Sequence, residues 1–355
     1  MRIETMTPLE RWTAVLNHQI PDRIPIDFWG TSEITNQLMN FLECENRLDL
    51  AKKIKLDLPY SPSPAYIGPT LPAQTDIFGI QYRSVNYGAG TYDESANAPL
   101  AQYTSVEEIK ASYTFPSVDW LDYSNIAAQC IGWEDYPLRA GGSEPMLTYK
   151  QLRGEEQAMI DLAQNPEIAH YCLDQLFNFA YQTTLRLYEN LPKHLKPLYS
   201  YVAEDLGGQR NLMYSPRHIK EFLFPGMRKM IELAHSAGAK AFHHDDGNVT
   251  KILPDLVDLG IDILNPIQWR ADGMDRQMLK DTFGSRLVFH GAVDNQYTLP
   301  FGTTDEVRQE VIDNINILGK DGGYILAPCH NIQPNTSIEN IITMYETALE
   351  YGFYN

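Results

Sequence analysis

The chain reads as an α/β protein, a single (β/α)8 barrel over residues 1–355, and three observations carry that expectation. Short apolar runs alternate with helical patterns. From about residue 195 to the end, each run is followed by a helix of its own. No proline- or serine-rich linker and no internal repeat divides the chain. Parallel strands with crossover helices at this length favour a closed barrel over an open doubly wound sheet.

The apolar runs fall at 23–28, 126–131, 197–202, 239–244, 261–267, 286–290 and 323–327. Each is short enough for a buried strand and is bounded by turn residues or charges. The helices between them are well punctuated. Ser215-Pro216 places a cap before a proline at the first helical position, and the pattern then runs to a glycine stop at Gly238. Thr303 and Glu306 fit a capping box ahead of 307–318, and Ser337 opens the last helix, 338–351. The segment 60–114, rich in Pro, Gly, Tyr and Ser, fits no βα unit and reads as an irregular insertion or a lid over the barrel mouth.

Composition narrows the function classes. With 43% hydrophobic and 21% charged residues the chain is globular and long enough for a sizeable core. A formal charge of -18 and a pI near 4.8 argue against nucleic acid or an anionic membrane as the main partner, since both demand basic patches. Acidity also keeps many proteins soluble. Cys44, Cys130, Cys172 and Cys329 are widely separated, so neither a disulfide framework nor a zinc ribbon is expected, and a reducing cytoplasm fits. The N-terminus lacks a secretory h-region, and no run of about 18 apolar residues could span a bilayer. There is no nucleotide-binding glycine fingerprint, Walker loop or nucleophile elbow.

The chemistry concentrates in Phe242-His243-His244-Asp245-Asp246-Gly247-Asn248, where a strand opens into a loop. On an extended backbone His244 and Asp246 share one face while His243 and Asp245 share the other. His-x-Asp is half of a divalent metal site, and the neighbours Cys329 and His330, after another apolar run, offer the third ligand. Only one of these two can face the cavity. A Cys would suit an ion that activates a thiol; a His would leave a more Lewis-acidic ion suited to water or an oxygen substrate. A metal-free acid/base pair and plain turn hydrogen bonding are the other readings of His244 and Asp246. His243 and Asp245 are expected to support the ligands.

In a barrel, the residues after each strand line the active site. Glu204 and Asp205, Asn265 and Gln268, and His290 and Asp294 all hold such positions. Asp205, Asp294 and His290 are expected to orient substrate or move a proton, with Asn265, Gln268 and Tyr199 as substrate contacts. His235 is expected on the solvent side of its helix, and His218 in a first turn. Trp269 and Arg270 suit an acidic or aromatic substrate or an interface equally well. The 21 tyrosines suit a flat ligand or a subunit contact.

Several ordered motifs carry a resemblance. They are Glu10-Arg11-Trp12 with Asp22-Arg23-Ile24-Pro25, Thr75-Asp76-Ile77-Phe78-Gly79, Arg153-Gly154-Glu155, Ser215-Pro216 with Pro225, His244 through Asn248, Gly291-Ala292-Val293-Asp294, and the stretch 328–340. Over nearly its whole length the chain resembles the uroporphyrinogen decarboxylase-like family, which includes tetrapyrrole decarboxylases and cobalamin-linked methyltransferases. The resemblance implies one (β/α)8 barrel with its site at the C-terminal mouth. The decarboxylases carry an arginine-rich motif near the N-terminus; here the matching stretch is Asp27-Phe28-Trp29-Gly30-Thr31-Ser32, with no arginine. The methyltransferases hold zinc on a His-x-Cys motif and a later Cys. His244 matches, whereas Asp246 replaces the first Cys and the later one falls on His330 or beside it on Cys329. The expectation is therefore a zinc-dependent or other metal-dependent methyltransferase-like enzyme that moves a methyl group between a corrinoid and a small thiol or oxygen acceptor. Cobalamin would be carried by a partner protein, and a homodimer is compatible with the sequence. A metal-free decarboxylase and a non-catalytic corrinoid- or tetrapyrrole-binding protein are the alternatives.

Overall fold

The computed structural model describes residues 3–86, 88 and 90–354. Six parallel strands lie side by side in chain order: β1 (Arg139–Ser143), β2 (Tyr199–Val202), β3 (Lys240–His244), β4 (Ile263–Asn265), β5 (Val288–Val293) and β6 (Tyr324–Pro328). Residues of β5 and β6 are buried throughout, as strands covered on both faces require. The register pairs His244 with Asn265 and Ile325 with His290.

Two short extended segments near the N-terminus carry the sheet around from β6 to β1. Ile26 bridges Leu326 in parallel, the Asp57 N–H donates to the Ile26 carbonyl at 2.8 Å, and Tyr60 bridges Leu138 in parallel. This circuit of eight extended segments is the arrangement of a (β/α)8 barrel. The run at 23–28 thus takes its expected place, although it pairs through isolated bridges.

Buried charge pins the closing segments. Asp57, fully buried, accepts from Arg23 Nη1 at 2.6 Å and from the Ile26 N–H at 2.8 Å, and also pairs with Arg11. Arg11 Nε in turn donates to Asp22 at 2.7 Å. Beside it, Trp12 from the helix Pro8–Leu16 enters the barrel floor and stacks on Tyr199, ring centroids 5.5 Å apart; Tyr199 stacks on Phe242 at 5.0 Å. The barrel interior is therefore a packed aromatic floor below and a cavity above.

The helix signals are realised. Thr303 and Glu306 form a reciprocal capping box, and Ser215 and Ser337 accept from the His218 and Asn340 N–H groups. The helix after Ser215 widens into a π-helical turn at Ile219–Leu223 before continuing as Phe224–Ser236. Pro225 lies at that junction, lacks an N–H and crowds the preceding turn, which accounts for the widening.

Two expectations need correction. Residues 126–131 do not form a strand: Ile126–Gln129 is a helical turn, an ambiguity inherent in short apolar runs. The strand at this point in the barrel is β1 instead, whose Gly141 and Gly142 have φ of 69° and 154°. A Cβ on Gly141 would lie 2.3 Å from the Thr184 side chain, so this strand can pass its covering helix only as glycine. Nor is 60–114 irregular throughout. Tyr82–Asn86 and Thr91–Ser95 form an antiparallel hairpin, and Val106–Ser112 is a helix; residues 87 and 89 lie outside the described residues. Among the described residues no helix is long and apolar enough to cross a membrane.

Candidate active site

His244 ends β3, and the backbone alternation carries through the following loop. His243 and Asp245 turn away from the barrel interior: His243 Nδ1 bonds the Val202 carbonyl at 2.7 Å, and Asp245 Oδ1 accepts the Leu206 and Gly207 N–H groups at 2.9 Å. They brace neighbouring strands rather than His244. The support of His244 comes from β4 and β5. Its Nδ1 lies 2.6 Å from Asn265 Oδ1, Asn265 Nδ2 lies 2.7 Å from His290 Nδ1, and His290 Nε2 lies 3.0 Å from Asp27 Oδ2. With one N–H on each imidazole and Asp27 as an acceptor, one assignment satisfies every pair. Asp27 accepts from His290 Nε2–H, which leaves His290 Nδ1 to accept from the Asn265 amide, whose oxygen then accepts His244 Nδ1–H. Nε2 of His244 is left with a free lone pair, the form a metal ligand needs.

His330 follows β6, and its Nε2 lies 4.0 Å from Asp246 Oδ2. One ligand atom each from His244, Asp246 and His330 lies within 4.8 Å of the others. Two imidazoles and a carboxylate are a donor set that suits zinc and other divalent first-row ions, with positions left for a substrate. The residues present therefore fit a divalent metal. Cys329 is not part of the group. Its N–H continues the ladder to Val293, its thiol reaches the Ile267 carbonyl at 3.4 Å, and burial pushes the thiol well up. Burial likewise raises the Asp246 carboxyl, against the pull of His244 and His330.

His244 and His330 of this trio open into a cavity of about 680 Å³. Asp205, Tyr199, His244 and His330 line it. Asp27, Trp29, Arg139, Glu144 and Tyr201, which the sequence did not single out, line it too. Burial first, and then Asp205, push the Glu144 carboxyl up. The remaining candidates sit elsewhere. Asn265 and His290 are fully buried behind His244. Gln268 accepts the Gly247 N–H at 2.7 Å and so shapes the loop after the ligands. Asp294 accepts from Arg270 at 2.8 Å and from the Thr298 N–H at 2.9 Å, capping its own loop outside this cavity. Arg270 stacks with Trp269 and Tyr297 along a separate surface groove. His235, far from the cavity, is half-exposed and bonds Asp262 at 2.7 Å.

With this geometry in view, comparison with known proteins is informative. The uroporphyrinogen decarboxylase (URO-D) family model matches residues 145–351, more than half of the chain and all of the loops that carry His244, Asp246 and His330. The chain belongs to the uroporphyrinogen decarboxylase family. As a member of that family it has a similar fold to a methyltransferase from Methanosarcina mazei, with a TM-score of 0.69 and 18% sequence identity over 98% of this chain and 99% of that one. A second solved structure, SrfJ from Salmonella typhimurium, aligns over 88% of this chain and 68% of its own at 12% identity and a TM-score of 0.40. No curated protein matches the sequence.

Proposed function

We propose that this member of the family is a metal-dependent methyltransferase, with zinc as the favoured ion, moving a methyl group between a corrinoid on a partner protein and a small thiol or oxygen acceptor. The observation that supports it is the convergence of His244, Asp246 and His330 beside the cavity. A divalent ion held there supplies Lewis acidity to the acceptor's S–H or O–H. Every other requirement falls to the chain. Asn265, His290 and Asp27 hold the His244 ring in one tautomer, and Trp29 stands over that ring at 5.7 Å between centroids, narrowing access of water. The acceptor's proton needs a base, and a carboxylate oxygen of Asp205 is within the same cavity to take it. An Asp and two His make a harder set than thiolates, which favours an oxygen acceptor over a thiol.

The reading is tested by elemental analysis of chelator-washed protein, wild type beside His244→Ala, Asp246→Ala and His330→Ala. About one divalent ion per chain, lost in each variant with the fold intact, supports it. Methyl transfer from methylcobalamin, followed by the visible spectrum, then separates thiol from alcohol acceptors. A metal-free decarboxylase is the second reading. The raised Glu144 carboxyl favours it, because burial and Asp205 make this carboxyl hold its proton more firmly than usual, the direction an acid that protonates a product carbanion needs. Wild type that holds no metal but releases carbon dioxide from a carboxylate substrate would establish it instead. Purified protein with a visible absorption band and neither activity would point to a corrinoid- or tetrapyrrole-binding role.

A further inference from the structure

Arg139, the first residue of β1, lines the same cavity as His244 and His330. Its guanidinium carbon lies 4.4 Å from the centre of the Tyr201 ring, so one face of the group is covered by an aromatic side chain. The edge of the group is different. Its Nε is buried with no hydrogen-bond partner, and among the described residues no carboxylate pairs with it. Glu144, on the same wall, forms no ion pair with Arg139, although its own carboxyl is close enough to feel the charge. Elsewhere in the chain the buried arginines are fully committed: Arg11 and Arg23 to Asp57, and Arg153 to Asp161 at 2.7 Å. Arg139 is half-buried where it lines the cavity, and its terminal Nη groups have no protein partner either; an unpaired guanidinium there, in a protein that pairs its buried arginines, is the mark of a binding group for an anion. Arg47 lines the cavity as well and adds a second positive charge to it.

We infer that the substrate carries a carboxylate that docks end-on to Arg139, through its two Nη groups, while its reacting end faces His244, Asp246 and His330. Planar carboxylates match the guanidinium fork with two parallel hydrogen bonds. The stacked Tyr60 and Trp133 rings, 4.6 Å apart, with Trp29 and Tyr201, give the body of the substrate flat apolar walls. Arg139 would then set orientation, and the metal group the chemistry. This inference rests on the cavity being the substrate site; it does not require the metal.

The test uses the full-length protein and two probes of nearly equal shape, benzoate and its neutral counterpart benzamide. Binding is followed by tryptophan fluorescence and by calorimetry, in metal-loaded and in chelator-treated protein. The expected result is saturable benzoate binding roughly tenfold or more tighter than benzamide, a preference lost in Arg139→Gln and partly kept in Arg139→Lys. The metal content of both variants should equal wild type. Equal binding of the two probes, no saturable binding of benzoate, or a preference that survives in Arg139→Gln overturns the assignment. So does a preference that disappears with the metal while Arg139 is intact, which would make the ion the carboxylate's partner. Arg139-dependent benzoate binding in a wild-type protein that takes up no metal would sink the metal-dependent reading and leave this one standing.

Discussion

Asn265 holds His244 at 2.6 Å and so decides which imidazole nitrogen faces the cavity. The amide is itself oriented by His290, and His290 by Asp27, so three buried residues on separate strands serve one ligand atom. Replacing Asn265 with Ala removes the acceptor of His244 Nδ1–H. Zinc affinity, measured by chelator competition, should fall by about 10- to 100-fold, with circular dichroism unchanged. Affinity within twofold of wild type would show that the ring is held by packing against Trp29 and Tyr201 alone.

His330 and Cys329 are adjacent in sequence and opposite in role. Cys329→Ala should leave the metal stoichiometry at the wild-type value, because the thiol is directed at the Ile267 carbonyl. His330→Ala should lose the ion. A reversed pair of results in elemental analysis would move the third ligand to the cysteine.

Asp57 is surrounded by two arginines and the Ile26 N–H, all desolvated. Asp57→Ala leaves two buried cations without their partner, and the expected loss of stability is about 3–5 kcal/mol. Denaturant unfolding measures it. A loss below about 1 kcal/mol would mean that water or Asp22 and Glu4 take over the neutralisation.

Asp22 gives a pH signature. Burial alone would raise its carboxyl, but the hydrogen bond from Arg11 and the Thr5 N–H outweigh it and bring the pKa from 3.8 down to about 2. A carboxyl depressed in the folded state binds its proton more readily when unfolded. Its stabilisation is therefore full above the unfolded value, on the order of 2 kcal/mol, and is lost as the pH falls from about 4 through about 2. Asp22→Asn should be less stable than wild type at neutral pH by that amount, and the two stability curves should converge in acid. Parallel curves across the whole range would rule out this linkage.

Much of the barrel could be read from the chain because its later strands are compact apolar runs with well-capped helices between them. The pairing of His244 with Asp246 followed from strand alternation alone. Alternation could not choose between Cys329 and His330, since neighbours always face opposite ways and the deciding fact is the phase of β6 against β5. β1 escaped notice because Gly141 and Gly142 interrupt the apolar signal where a helix presses on the strand. Asp27, Trp29, Arg139, Glu144 and Tyr201 come from three extended segments, or the loops beside them, scattered along the sequence. Nothing local marks them as neighbours; only closure of the ring brings them to one cavity.

That closure joins Ile26 to Leu326, nearly the two ends of the chain. On the ribosome, the first extended segment must wait for the last strand. At roughly 5–20 residues per second, the nascent chain spends about 15–60 s with both flanks of its sheet unpaired. During that interval open strand flanks invite association with other chains. His330, which converges with His244 and Asp246 and is the last of the three in sequence, arrives only a few residues after Leu326. A polypeptide released early would therefore be aggregation-prone and would lack one of the three side chains of the candidate site, so that completing the ring and completing the site are one event in the life of each molecule.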